Sequence, residues 1–170
     1  MKNINISCAT GRAYDRGFTF IELVVTLAVI SIVMLIAVAN INTGRSEALN
    51  GAREFKTALS YARSESLNRS RTVVVCASST AMDNDSLACG GSWHQGWLVF
   101  VDEDGNDAPA VSELLRRHAG LSNSVSVTAA ATSVEFSSRG FSSSAVDFRF
   151  CTSEDASAGR TISLAASGRA

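Results

Sequence analysis

The sequence predicts an α+β chain in which a long N-terminal transmembrane helix packs on a small, mostly antiparallel β-domain. Three observations carry that prediction. An unbroken apolar run occupies residues 18–39. A stripe of small and apolar residues at helical spacing continues it to about Arg69. From Thr72 onward the apolar pattern changes to period two, in short runs separated by Ser, Gly, Asn and Asp clusters.

The first element is the apolar run. From Phe18 to Ala39 there are 22 residues with no proline, no glycine and, apart from Glu22, no charge. As a helix they would reach about 33 Å, enough to cross a hydrocarbon core of about 30 Å. The run exceeds the apolar core of a secretory signal peptide. Lys2, Arg12 and Arg16 precede it, which places the N-terminus in the cytoplasm and everything after about Ala39 outside. Glu22 is expensive in such a span, at about 2.5–3.5 kcal/mol on insertion scales. Either a cation answers it, or it lies near enough to the headgroups to reach water.

The second element is the polar continuation of the helix. Ala48, Ala52, Phe55, Leu59, Ala62 and Ser66 recur at alternating steps of four and three and form one stripe, while Glu54, Thr57, Tyr61 and Glu65 face away. Asn40, Gly44 and Gly51 are its weak points, each glycine costing up to about 1 kcal/mol relative to alanine. The strands follow. Thr72–Ala77 and Gly96–Val101 read as buried strands; the runs around Val125 and Val127, Val134 and Phe136, Phe148 and Phe150, and Ile162 and Leu164 alternate like half-buried ones.

The totals restrict function. With 170 residues, one proline and a formal net charge of −1, the chain has room for one span and one small domain. A near-neutral chain binds nucleic acid only through a local patch. His94 and His118 are the only histidines, and neither has the spacing of a metal or catalytic site. No nucleophile elbow, zinc-protease motif or phosphate-binding glycine loop is present. Enzymatic activity, a cofactor and a metal are therefore not expected. His94 reads as a loop residue packed near Trp93 and Trp97, and the serines of 137–144 as a flexible loop. Asp102, Asp104, Asn106 and Glu113 fall at offsets one, three, five and twelve of a calcium loop. Asp107 stands where that loop needs glycine, Pro109 interrupts it, and a strand precedes it, so a hairpin turn built on Asp104-Gly105-Asn106 is the preferred reading.

Gly17 followed by Phe18-Thr19-Phe20-Ile21-Glu22-Leu23 and the apolar run resembles the processing and assembly signal of type IV pilins and the pseudopilins of type II secretion. The resemblance implies cleavage by a prepilin peptidase between Gly17 and Phe18, methylation of the new Phe18 amine, and Glu22 as the fifth mature residue. It also implies the partner of Glu22: the Phe18 amine of a neighbouring subunit, so that the carboxylate sets axial register. Many pilins have a proline where this chain has Ala39, so the usual kink is not expected. Further on, Ala62-Arg63-Ser64-Glu65-Ser66, the valine strand ending in Cys76, Trp93, Gly96-Trp97 before LVFVDEDGN, and the last strand between Gly159-Arg160 and Gly168-Arg169 together resemble the GspH/FimT family of minor pilins and pseudopilins.

On this resemblance the chain divides into a leader (1–17), a transmembrane and filament-core helix (18–39), its amphipathic continuation (40–70) and a periplasmic β-domain (71–170). Loss of the leader leaves a net charge of −3 and removes Cys8 from the four cysteines. Cys76 and Cys89 flank a polar loop in an oxidising compartment, so a disulfide between them is expected; a bond from Cys151 to either remains open. The implied partners are the prepilin peptidase, other pilins or pseudopilins, and the inner membrane. Two roles stay open: a structural subunit of a secretion or pilus filament, acting in initiation or at the tip, and a pilus subunit that captures DNA for natural transformation. For the second, Arg139, Arg149, Arg160 and Arg169 are the candidate contacts, through forked hydrogen bonds to phosphate. FimT-like DNA binding is credited to a C-terminal glycine-arginine followed closely by a second arginine, and this chain ends Gly168-Arg169-Ala170 without it. The alternative is that these arginines solvate alternate strand positions.

Overall fold

The computed structural model describes residues 19–40, 43–152 and 159–170, without the side chains of 35–40 and 43–45. The chain divides into two compact units, Met1–Ile41 and Asn42–Ala170.

The first unit contains helix α1, Phe20–Asn40. Helix α2, Thr43–Arg69, opens the second. The sequence predicts one helix through both, but residues 41 and 42 lie outside the described residues. The predicted stripe is buried at every position: Ala48, Ala52, Phe55, Leu59, Ala62 and Ser66. α2 ends on a Schellman motif. Ser70 takes the left-handed conformation (φ 51°), and the Arg71 amide returns to the Ser66 carbonyl at 3.3 Å. One turn earlier, Arg69 Nε donates to Glu65 Oε2 at 2.7 Å.

Seven strands follow: β1 (Val73–Ala77), β2 (Gly96–Val101), β3 (Leu114–Ala119), β4 (Val125–Thr128), β5 (Ser133–Phe136), β6 (Val146–Thr152) and β7 (Arg160–Leu164). They form two antiparallel sheets, β3-β2-β1-β5 and β4-β6-β7. Six were anticipated by pattern; β3 was not. Its sequence, Leu-Leu-Arg-Arg-His-Ala, has no period-two alternation, and it forms a half-exposed edge with a register shift opposite Val99 and Phe100. Charge and irregularity at an edge protect it from pairing with another chain. The β2–β3 connection is the long loop Asp102–Glu113, in place of the tight hairpin turn expected at Asp104-Gly105-Asn106.

The main core lies between α2 and the two sheets. Phe55 is its centre, with ring centroids 5.1 Å from Trp93, 5.2 Å from Trp97, 4.7 Å from Phe148 and 5.7 Å from Phe150. The Trp93 indole donates to the Ala131 carbonyl at 2.8 Å, which allows burial of its polar edge. A smaller cluster of Val74, Cys76, Ala81, Leu98 and Phe100 covers the other face of the first sheet. That explains why β1 and β2 are buried at every residue and read as continuous apolar runs. A Cys76–Cys89 disulfide (Cα–Cα 5.6 Å) ties the covering segment to β1, and Cys151 is free.

Candidate functional site

Two regions carry the candidate residues: the first turn of α1, and the basic side chains around α2 and the C-terminal strands. Gly17 and Phe18 lie outside the described residues. Thr19 caps α1: the Glu22 amide donates to Thr19 Oγ1 at 3.3 Å, and the Leu23 amide donates to the Thr19 carbonyl at 3.2 Å. Threonine three residues before glutamate is the spacing of a capping box, so Glu22 also suits the start of this helix. Its carboxylate is exposed, with no ion pair among the described residues. Behind it every large apolar side chain from Phe20 (84% exposed) to Met34 is exposed. A helix apolar on all sides is stable only where lipid or protein covers it. Among the described residues no helix is long and apolar enough to cross a membrane; the side chains of α1 are described only to Met34.

The four candidate arginines do not form one patch. Arg149 lies on the outer face of β6, between buried Phe148 and Phe150, and shares a shallow depression with Asp147. Arg139 and Arg169 come from segments that touch. Arg63 of α2 donates from Nε to the Gly140 carbonyl at 3.1 Å. Gly168 packs against that same carbonyl with φ +77°, where any Cβ would overlap the oxygen. The backbones of Arg139 and Arg169 are thus joined beside Arg63, with exposed Phe141 (54%) next in the chain. The glycine of the final Gly-Arg pair is therefore a packing residue.

Arg160 points elsewhere. It pairs across the sheet with Phe150 and lines a groove of about 340 Å³ between α2 and β7, together with Arg53 and Lys56. Among the described residues none of these three cations forms an ion pair. Sequence reasoning missed Arg53 and Lys56. The signal available was their i, i+3 spacing on the polar face of α2.

A second groove, between α2 and β3, is lined by Arg53, Glu54, Arg116, Arg117 and His118. The β3 cations of this groove are already engaged. Arg116 sits 4.5 Å from the centroid of Tyr61, Arg117 donates to Asn84 Oδ1 at 2.5 Å, and His118 stacks on Trp97 at 3.9 Å while its Nε2 meets Glu54 Oε2 at 2.5 Å. The histidine packed on a tryptophan is thus His118. His94, read from the sequence as a loop residue near Trp93 and Trp97, sits half-buried in the 3₁₀ turn Trp93–Gln95. Near the start of α2, the Ser122 hydroxyl, followed by that of Ser124, donates to Glu47 and holds its carboxyl below the usual range.

Comparison with known proteins accords with this architecture. The family model of the type II transport protein GspH matches residues 51–168, and that of the prokaryotic N-terminal methylation motif matches residues 12–38. Two crystal forms of the type IV minor pilin FimU from Pseudomonas aeruginosa share the fold. The P21 form is 23% identical with a TM-score of 0.58, covering 74% of this chain and 87% of that one. The P65 form is 22% identical with a TM-score of 0.55, covering 71% and 88%. No curated protein matches the chain.

Proposed function

Because the chain belongs to the family of the type II transport protein GspH, a family of structural minor pilins and pseudopilins, we propose that it is a minor subunit of a type II secretion or type IV pilus filament and acts in filament initiation or tip assembly. It enters the inner membrane through residues 18–39, is cut between Gly17 and Phe18 by a prepilin peptidase, and is drawn into a periplasmic filament. The single observation that supports this reading best is the exposure of every large apolar side chain from Phe20 to Met34, with one carboxylate, Glu22, in the first turn. Such a surface has to be covered by lipid before assembly and by like helices after it. Glu22 then pairs with the Phe18 amine of a neighbour and sets the register. Its function is mechanical, with no catalytic step.

The test is made in cells that contain a prepilin peptidase. Gly17→Ala leaves an uncut, membrane-held precursor. Glu22→Ala is cut normally but enters filaments poorly. Normal maturation of the first variant would refute the processing assignment, and unimpaired incorporation of the second would refute the register role.

DNA capture is the second reading, favoured by the packing of the Arg139–Gly140 and Gly168–Arg169 backbones beside Arg63 and exposed Phe141. Cations next to an exposed aromatic ring suit phosphates and an unstacked base. In a salt series with the full chain, Arg139→Ala and Arg169→Ala should abolish salt-sensitive DNA binding, since each neutralised phosphate releases counterions. If the parent binds no DNA at low salt, this reading fails and the structural one stands.

A further inference from the structure

We propose that the outer edge of β7, together with the groove between it and α2, receives an extended acidic segment of another protein chain as an added strand. Three observations lead there, and none depends on the filament assignment. The first is the edge itself. β7 ends the sheet β4-β6-β7, so one side of Arg160–Leu164 has no strand beside it. Alternate residues of such a strand turn both N–H and C=O outward. Among the described residues, Arg160–Leu164 pair only with β6 and make no other backbone hydrogen bond.

Folded proteins protect exposed edges with charge, irregularity, short strands or a covering segment. The other edges here are protected in these ways. β3 carries charges and a register shift. β5 is covered by the segment after it: the Ser143 amide donates to the Glu135 carbonyl and the Ser137 amide to the Phe141 carbonyl, both at 2.9 Å. β4 has only four residues. β7, Arg-Thr-Ile-Ser-Leu, runs in unbroken register with β6 and carries one charge, at its first residue.

The second observation is the shape of the groove. Its volume of about 340 Å³ follows four consecutive residues of β7, Arg160 to Ser163, with Leu49 and Ala52 of α2 among the opposing residues. It is therefore a trough along the strand edge. Arg160 shares one face of β7 with Ile162, and Ile162 and Ala52 are both buried, which gives the trough an apolar floor.

The third is charge. Arg53, Lys56 and Arg160 line the trough, all three are exposed, and no acidic side chain joins them in its lining. Among the described residues none of the three forms an ion pair. Cations beside unused backbone donors and acceptors select an acidic strand: main-chain bonds supply affinity, and side chains at alternate positions supply specificity. Duplex DNA would use the cations and leave the apolar floor and the strand edge unanswered. A polypeptide answers all three.

The probe is a blocked, fluorescein-labelled peptide of about six residues that alternates glutamate and valine. It is titrated against the full chain in detergent at low salt and read by anisotropy. It binds saturably below about 1 mM, and a lysine–valine peptide of the same length does not. Lys56→Glu weakens binding at least about tenfold; should that variant fail to fold, Arg53→Glu must show the same loss. Two further peptides, each N-methylated on one alternate set of its amides, keep the charge and test the strand. The one whose methyl groups meet β7 binds at least about tenfold more weakly, and the other binds like the parent peptide. The proposal is overturned by no binding of the acidic peptide at about 1 mM, by equal binding of the lysine–valine peptide, by undiminished binding of both methylated peptides, or by full affinity in the charge-reversed variants. If duplex DNA binds through Lys56 and the peptide does not, the groove is a phosphate site and the proposal is likewise overturned.

Discussion

Replacing Gly168 with alanine provides a sharp test of how the C-terminal Gly-Arg pair is used. At φ +77° an alanine incurs the left-handed penalty of about 1–2 kcal/mol. Its Cβ would also overlap the Gly140 carbonyl oxygen, a backbone atom already held by Arg63 Nε, so the neighbour cannot yield cheaply. Overpacking of that kind adds about 1–3 kcal/mol, for a total of about 2–5 kcal/mol. Gly105 is the matched control: its φ is +76°, and a Cβ there meets nothing within 4 Å. Gly105→Ala therefore carries only the dihedral term, about 1–2 kcal/mol. The assay is urea unfolding of the full chain in detergent, followed through the fluorescence of buried Trp93 and Trp97. With a slope of about 2 kcal/mol per M, the midpoint of Gly168→Ala should fall below that of Gly105→Ala by about 1 M. Equal midpoints for the two variants would refute the packing role of Gly168 and return the pair to the list of candidate anion contacts.

Phe55→Ala removes the ring that touches four aromatic neighbours and should lower stability by about 3–5 kcal/mol in the same assay, with the native tryptophan signal altered before unfolding. Replacing Cys76 and Cys89 with serine opens a link between residues 13 apart and should cost about 3 kcal/mol relative to the oxidised parent, a midpoint difference that closes when the parent is reduced. Replacing Ser122 and Ser124 with alanine should return the Glu47 carboxyl toward its ordinary pKa, as observed by a carboxyl NMR titration. Because the folded value is depressed, the stability these hydroxyls confer through Glu47 is present above the unfolded pKa and lost as pH falls through the folded one. Parent and double variant should therefore converge in acid, through this term, and differ at neutral pH.

Local periodicity made much of the fold legible. The α2 stripe could be placed residue by residue because helical spacing is a property of the chain itself, and six strands announced themselves through alternation or through continuous valine runs. β3 did not, because an edge strand packs too little of its surface to need an apolar pattern. Arg139 and Arg169 were legible as residue types, but the contact between their segments was not: Gly168 packs on the Gly140 carbonyl, which Arg63 holds from 77 residues away in sequence. Arg53 and Lys56 were likewise ordinary polar-face residues until β7 brought Arg160 beside them.

What the sequence by itself determined is everything that depends on near neighbours: the apolar helix with its single carboxylate, the N-terminal methylation motif, and the stripe on α2. Tertiary structure alone decided which arginine-bearing segments touch, which histidine stacks on a tryptophan, and that Glu113 is buried. The reason is physical. Helical and strand periods are written in adjacent residues, whereas burial and charge convergence arise only when distant segments close a shared core, and no local pattern encodes which of them will touch.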